Sequence, residues 1–140
     1  MRILIATTSG GLEDSISSVF GRSPTYTLVE IEGNKIKNVE VLPNPFADSF
    51  RGAGIRAGQF AIDKGVNVVV AGNFGPNAAQ ILQKAGIEML ILQGKVKDAI
   101  ERYIEKEGRD DIKMLEEEIR RIEDMLQEIK RKIEDIESKK

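Results

Sequence analysis

Asn67-Val68-Val69-Val70-Ala71 runs straight into Gly72-Asn73-Phe74-Gly75-Pro76-Asn77, and this junction sets the fold class. The first five residues are apolar and β-branched, the pattern of a strand buried on both faces. Such burial belongs to parallel sheets covered by helices. The glycine turn then hands over to a helix, with Pro76 suited to its first turn. Gly86 ends that helix after Ala85. A further apolar strand is expected over Glu88 to Leu92.

Working outward, Ile55 to Lys64 reads as a preceding helix, with Gly65 as its stop. Val96 to Glu105 reads as a third, with Val96, Ala99, Ile100, Tyr103 and Ile104 at helical spacing. Toward the N-terminus, Arg2 to Thr7 is a short buried strand ended by Thr8-Ser9-Gly10-Gly11. Thr25 to Ile31 and Lys35 to Leu42 form a hairpin across Glu32-Gly33-Asn34. Pro43-Asn44-Pro45 stops its second strand. The expected fold is α/β: a five-stranded mixed sheet with helices on both faces.

Composition shifts near Gly108. All prolines and aromatics precede it, and helix formers and charges follow. The chain therefore divides into an α/β domain, 1–107, and a tail, 108–140. In the tail Ile112, Ile119, Leu126 and Ile133 alternate with Leu115, Ile122, Ile129 and Ile136 in a strict seven-residue repeat. These are the a and d positions of a coiled coil. Flanking e and g sites hold Glu116, Glu118, Glu123, Lys130 and Lys132. A helix folded back on its own domain would carry a broader stripe of period 3.6. The expected partner is a second copy of the chain, joined through residues 112–136. Isoleucine at both a and d favours three or more strands in parallel packing; antiparallel pairing would change that reading.

The 140 residues are 41% hydrophobic and 31% charged, with a net charge of −2. That balance argues against nucleic acid as a partner, since such proteins carry a basic excess. No apolar run is long enough to span a bilayer. The start, Met1-Arg2-Ile3-Leu4-Ile5, turns polar too soon for a signal peptide, so the expected location is the cytoplasm. Cysteine and histidine are both absent. Thiolate and imidazole ligands are therefore missing, as are the commonest nucleophile and general base. No catalytic residue is expected, and no direct metal ligand.

Three loops carry the functional signal. They are Thr8-Ser9-Gly10-Gly11, Arg51-Gly52-Ala53-Gly54 and the Gly72 to Asn77 turn. Loops that follow parallel strands gather at one rim, the usual ligand crevice. Glycine lets backbone amides approach a ligand, and helix N-termini favour anions. The candidate binding residues are Ser9, Gly10, Arg22, Arg51, Gly52, Gly54, Gly72, Asn73, Gly75 and Asn77. Arg56 is a further source of positive charge. The competing reading is that these glycines serve only tight turns. Gly52-x-Gly54 is no dinucleotide fingerprint, because the third glycine is missing. Glu13-Asp14, two adjacent acids in a loop, reads as solvated.

Phe20-Gly21-Arg22-Ser23-Pro24, Gly52-Ala53-Gly54 and Ala71-Gly72-Asn73-Phe74-Gly75-Pro76-Asn77-Ala78 together resemble the dinitrogenase iron–molybdenum cofactor biosynthesis family. The resemblance covers residues 1 to about 106 and leaves the heptad tail outside. It implies a ribonuclease H-like motif whose second strand is antiparallel. It also implies a non-enzymatic carrier or accessory protein for an iron–molybdenum or iron–sulfur cluster, or a similar anionic ligand. A protein that donates or accepts the cluster is then a further partner. Many members carry His just before the Phe-Gly-Arg motif, where this chain has Val19. A ribonuclease H-like motif also invites a nuclease reading. The first strand, Arg2-Ile3-Leu4-Ile5-Ala6, has no carboxylates to hold two metal ions and excludes it. The alternative function is an oligomeric protein–protein interaction module with no bound cofactor.

Overall fold

The computed structural model describes residues 1–49 and 51–139, so the last residue of the 108–140 tail lies outside it. Five strands form one sheet: β1 (Arg2–Thr7), β2 (Thr25–Glu32), β3 (Lys35–Pro43), β4 (Val68–Ala71) and β5 (Glu88–Ile91). Three helices accompany them: α1 (Ala53–Asp63), α2 (Pro76–Lys84) and α3 (Val96–Ser138). The spatial order is β3-β2-β1-β4-β5. β1, β4 and β5 run parallel, and β2 is antiparallel to both β1 and β3. This is the mixed five-stranded sheet expected from the sequence.

Alternation along the strands sorts the core into two layers. Leu4, Ala6, Tyr26, Leu28, Val69 and Ala71 face one side, where Ala57 and Ala61 of α1 and Ala78 and Leu82 of α2 cover them. Ile3, Ile5, Val29, Ile31, Val68 and Val70 face the other, covered by Val96, Ile100 and Tyr103 of α3. α1 and α2 pack closely because Gly58 has no side chain; a Cβ there would lie 2.9 Å from Ile81 Cγ2. β4 is buried along its whole length, as its valine run requires. β5 is an edge strand, and its apolar sequence is less covered than expected: Ile91 is 65% exposed.

Two boundaries differ from the sequence reading by more than one residue. α1 begins at Ala53, two residues early, because Gly52 supplies a left-handed N-cap at φ 77°. α3 does not stop near Glu105 but continues through Gly108 to Ser138. A glycine inside a helix costs only about 1 kcal/mol against alanine, and strong helix formers flank this one.

The chain divides into two compact units, Met1–Ile104 and Glu105–Lys140. In the second unit the heptad residues are all exposed, from 49% at Ile122 and Ile133 to 64% at Leu115. Among the described residues no helix is long and apolar enough to cross a membrane.

Candidate functional site

The N-termini of α1 and α2 meet at one hollow of about 220 Å³. Gly52, Ala53 and Gly54 line it from α1, and Gly75, Pro76, Asn77 and Ala78 from α2. Val19, Gly21 and Arg22 complete the wall. Neither helix has a side-chain cap or an acidic residue in its first turn. Glycine holds both N-cap positions, so no Ser, Thr or Asp side chain satisfies the first-turn amides. The N–H groups of Ala53, Gly54, Ile55, Asn77 and Ala78 are thus the unpaired donors that begin any helix. Two positive helix ends beside the Arg22 guanidinium make an environment that favours an anion.

Backbone packing shapes this hollow. A Cβ on Gly21 would lie 3.0 Å from Gly54 Cα and 3.1 Å from Gly54 N. The Phe-Gly-Arg turn therefore rests directly on the first turn of α1, and a side chain at Gly21 would press on that backbone. Gly72 does the same for the second turn: a Cβ there would stand 2.9 Å from Ser18 Cα. Its amide donates to Ser17 O at 2.9 Å, and the Phe20 amide donates to Asn73 O at 3.0 Å.

Aromatic packing anchors the same turn from below. Phe20 is fully buried, with its ring centroid 5.3 Å from both Tyr26 and Phe74. The Tyr26 hydroxyl donates to Phe20 O at 2.6 Å. Burial pushes that hydroxyl well above its ordinary pKa, so it stays protonated and keeps donating. Asn44 Nδ2 donates to Gly21 O at 3.1 Å, Ser23 O at 2.8 Å and the Tyr26 hydroxyl at 3.1 Å. The residue read as a strand stop is thus the clamp on the Phe-Gly-Arg turn. Nothing in the sequence pattern marks Asn44 or Tyr26 for this role, because their partners come from a separate turn.

Five of the ten candidate residues line the hollow: Arg22, Gly52, Gly54, Gly75 and Asn77. Arg22 also pins the loop beside it, donating to Ser49 O at 2.7 Å and Ala47 O at 3.3 Å. Arg51 is exposed just before Gly52 and is not part of the lining. Gly72 and Asn73 support the wall from behind rather than face the hollow. Arg56 sits over the Phe46 ring, 5.1 Å from its centroid.

Ser9 and Gly10 do not join the others, which corrects the expectation of three converging turns. Asp14 Oδ2 accepts the amides of Thr8 at 2.8 Å, Ser9 at 2.9 Å and Gly10 at 2.8 Å. The Gly11 amide donates to Thr27 Oγ1 at 3.0 Å. A Cβ on Gly10 would overlap Val41, so this turn lies against β3. By strand alternation Thr27 and Val41 belong to the face covered by α3, away from the α1 and α2 termini. Asp14 is therefore a structural acceptor rather than a solvated acid. Burial pushes its pKa up, but the amides of Gly10, Ser15, Thr8 and Ser9 outweigh this and hold it below the ordinary 3.8.

The hollow offers hydrogen-bond donors and positive charge rather than a set of metal ligands. Among the described residues no three His, Cys, Asp or Glu side chains cluster to hold a metal ion. Val19 presents an apolar side chain to the hollow. Any ligand held here meets amides, a guanidinium and small apolar groups.

Known proteins share this architecture. The chain is 30% identical to the apo form of the orange protein from Desulfovibrio gigas, with a TM-score of 0.68 over 75% of this chain and 88% of that one. It is 30% identical to PH0822, with a TM-score of 0.66 over 76% of this chain and 92% of that one. It is 32% identical over 74 residues to the uncharacterized protein MJ0580 of Methanocaldococcus jannaschii. That match covers 53% of this chain and 63% of the relative, so the aligned part spans under two thirds of the relative's length. Residues 1–106, from the first strand into α3, match one family throughout, and the chain belongs to it: the dinitrogenase iron-molybdenum cofactor family.

Proposed function

We propose that this chain is a non-enzymatic carrier or accessory protein that holds an anionic metal cluster, of iron–molybdenum or iron–sulfur type, at the α1/α2 hollow. The observation that carries this reading is the meeting of two uncapped helix N-termini and Arg22 around one space. Family membership adds the cluster chemistry. With no Cys or His in the chain, the cluster is cargo held through its outer oxygens or sulfurs. Such a grip is reversible, which suits a carrier that passes its load to an acceptor protein.

The test is anaerobic uptake. The purified chain is mixed with molybdate, or with iron and sulfide, and bound metal is measured after desalting. Saturable uptake that Arg22→Ala weakens at least several-fold supports the reading. Absence of uptake from every source overturns it.

A second reading rests on the exposed heptad seam. In it the tail joins copies of the chain, and the α/β unit docks on another protein with avidity and no cofactor. Self-association is compatible with both readings. Partner capture by metal-free protein, with no uptake, favours the second.

A further inference from the structure

We infer that the tail pairs with a second copy of itself in antiparallel orientation, as a two-stranded coil. The inference rests on the self-association proposed above and is independent of the anion-binding hollow. Its observation is the placement of charge along an apolar seam whose residues are about half exposed or more among the described residues.

In the antiparallel register Ile112 lies opposite Ile136 of the second copy, Leu115 opposite Ile133, Ile119 opposite Ile129, and Ile122 opposite Leu126. Every a and d residue is then covered by one of the other set, with no overhang. The flanking charges match in the same register. Glu116 meets Lys130 of the second copy, and Glu118 meets Lys132. Twofold symmetry makes each pair twice. Met125 meets its own copy at the centre of one flank, as an apolar contact. The single unfavourable pairing is Glu123 with its own copy.

Parallel pairing reverses this balance. There each g residue meets the next e residue of the neighbour. Asp111 would face Glu116, and Glu118 would face Glu123, like against like. Only Lys132 with Glu137 would attract. The isoleucine-rich seam favours three or more strands only in parallel packing, so it does not oppose an antiparallel pair. Within one chain Glu118 already holds Arg121 at 2.7 Å, and Lys132 lies 3.8 Å from Glu128. All four side chains are more than half exposed, so a second copy can share them.

Two measurements on the full chain test the inference. The chain has no cysteine, so Lys113→Cys carries a single spin label. In the antiparallel register residue 113 faces residue 135 of the second copy. The two labels then stand about 33 Å apart along the axis, at ~1.5 Å per residue. A parallel bundle puts them within about 20 Å, the width of two helices. Sedimentation supplies the mass. A dimer with the long distance supports the inference. A short distance, or a trimer or larger, overturns it while leaving self-association standing. A monomer removes both.

Charge reversal gives an answer of opposite sign for the two orientations. Glu116→Lys with Glu118→Lys turns four attractive pairs repulsive in the antiparallel coil. The dissociation constant should rise roughly tenfold or more at low salt. In a parallel coil the same change relieves both repulsions and tightens it. Adding Lys130→Glu with Lys132→Glu should restore the antiparallel dimer; failure to restore it counts against the register.

Discussion

Replacing Asn44 with alanine should loosen the Phe-Gly-Arg turn and lower stability sharply. Asn44 is 8% exposed, and its amide nitrogen serves Gly21 O, Ser23 O and the Tyr26 hydroxyl. Its Oδ1 accepts the Phe46 amide at 3.0 Å. Truncation removes the donor to two carbonyls in a buried setting, and each stranded acceptor costs about 1–3 kcal/mol. Water reaching the vacated space offsets part of this, leaving a loss of about 2–4 kcal/mol. For a unit of about a hundred residues that lowers the melting temperature by roughly 10–20 °C. Tyr26→Phe removes the donor to Phe20 O and one acceptor of Asn44. Because the two side chains touch, the double variant should lose less than the sum, with a coupling of about 0.5 kcal/mol or more. Calorimetry on the four proteins measures all of this. A shift under about 2 °C for Asn44→Ala, or strict additivity, refutes the clamp.

Gly21→Ala should cost about 1–3 kcal/mol, since the new methyl meets the Gly54 backbone rather than a movable side chain; thermal unfolding reads the loss, and an unchanged midpoint contradicts the close approach. Asp14 titrates below 3.8 in the folded chain, so its contribution to stability is present above that pH and lost as pH falls through the lowered value. Stability measured from pH 6 down to about 2 should therefore fall less steeply in Asp14→Asn, and equal slopes would show that the three amide contacts are not made. Ile122→Lys places a charge in the seam and should shift sedimentation to the monomer; an unchanged mass denies the coiled coil.

The sheet was legible because each strand announces itself locally. The Val68–Val70 run, the hairpin over Glu32-Gly33-Asn34 and the glycine stops at 65 and 86 each need only near neighbours in sequence. Helix ends were less legible where glycine acts as the cap. Gly52 opens α1, while Gly108 interrupts nothing, and the residue type is the same. What separates them is flanking context and packing. The exposure of Ile91 follows from strand order, which no local pattern records.

The site was half legible for the same reason. Glycine turns beside helix starts single out Gly52, Gly54 and Gly75, which the structure places in the lining of the hollow. Whether a turn's amides are available depends on what else claims them. Asp14, four to six residues further on, and Thr27, from β2, claim the first turn, and the second of these contacts is tertiary. Charge alone marks Arg22 and Arg51 equally, and it is Arg22, thirty residues away from Gly52 in sequence, that lines the hollow. Asn44 and Tyr26 escaped notice because a single Asn between prolines carries the same local signal whether it ends a strand or clamps a loop.

Amide shifts in the ¹⁵N-labelled chain, titrated with molybdate, report most directly on whether the hollow binds anions. The Ala53, Gly54, Ile55, Asn77 and Ala78 signals should move together and saturate, while Ser9 and Gly10 stay still. Shifts confined to the Thr8–Gly11 turn, or no saturating shift anywhere, would contradict the account.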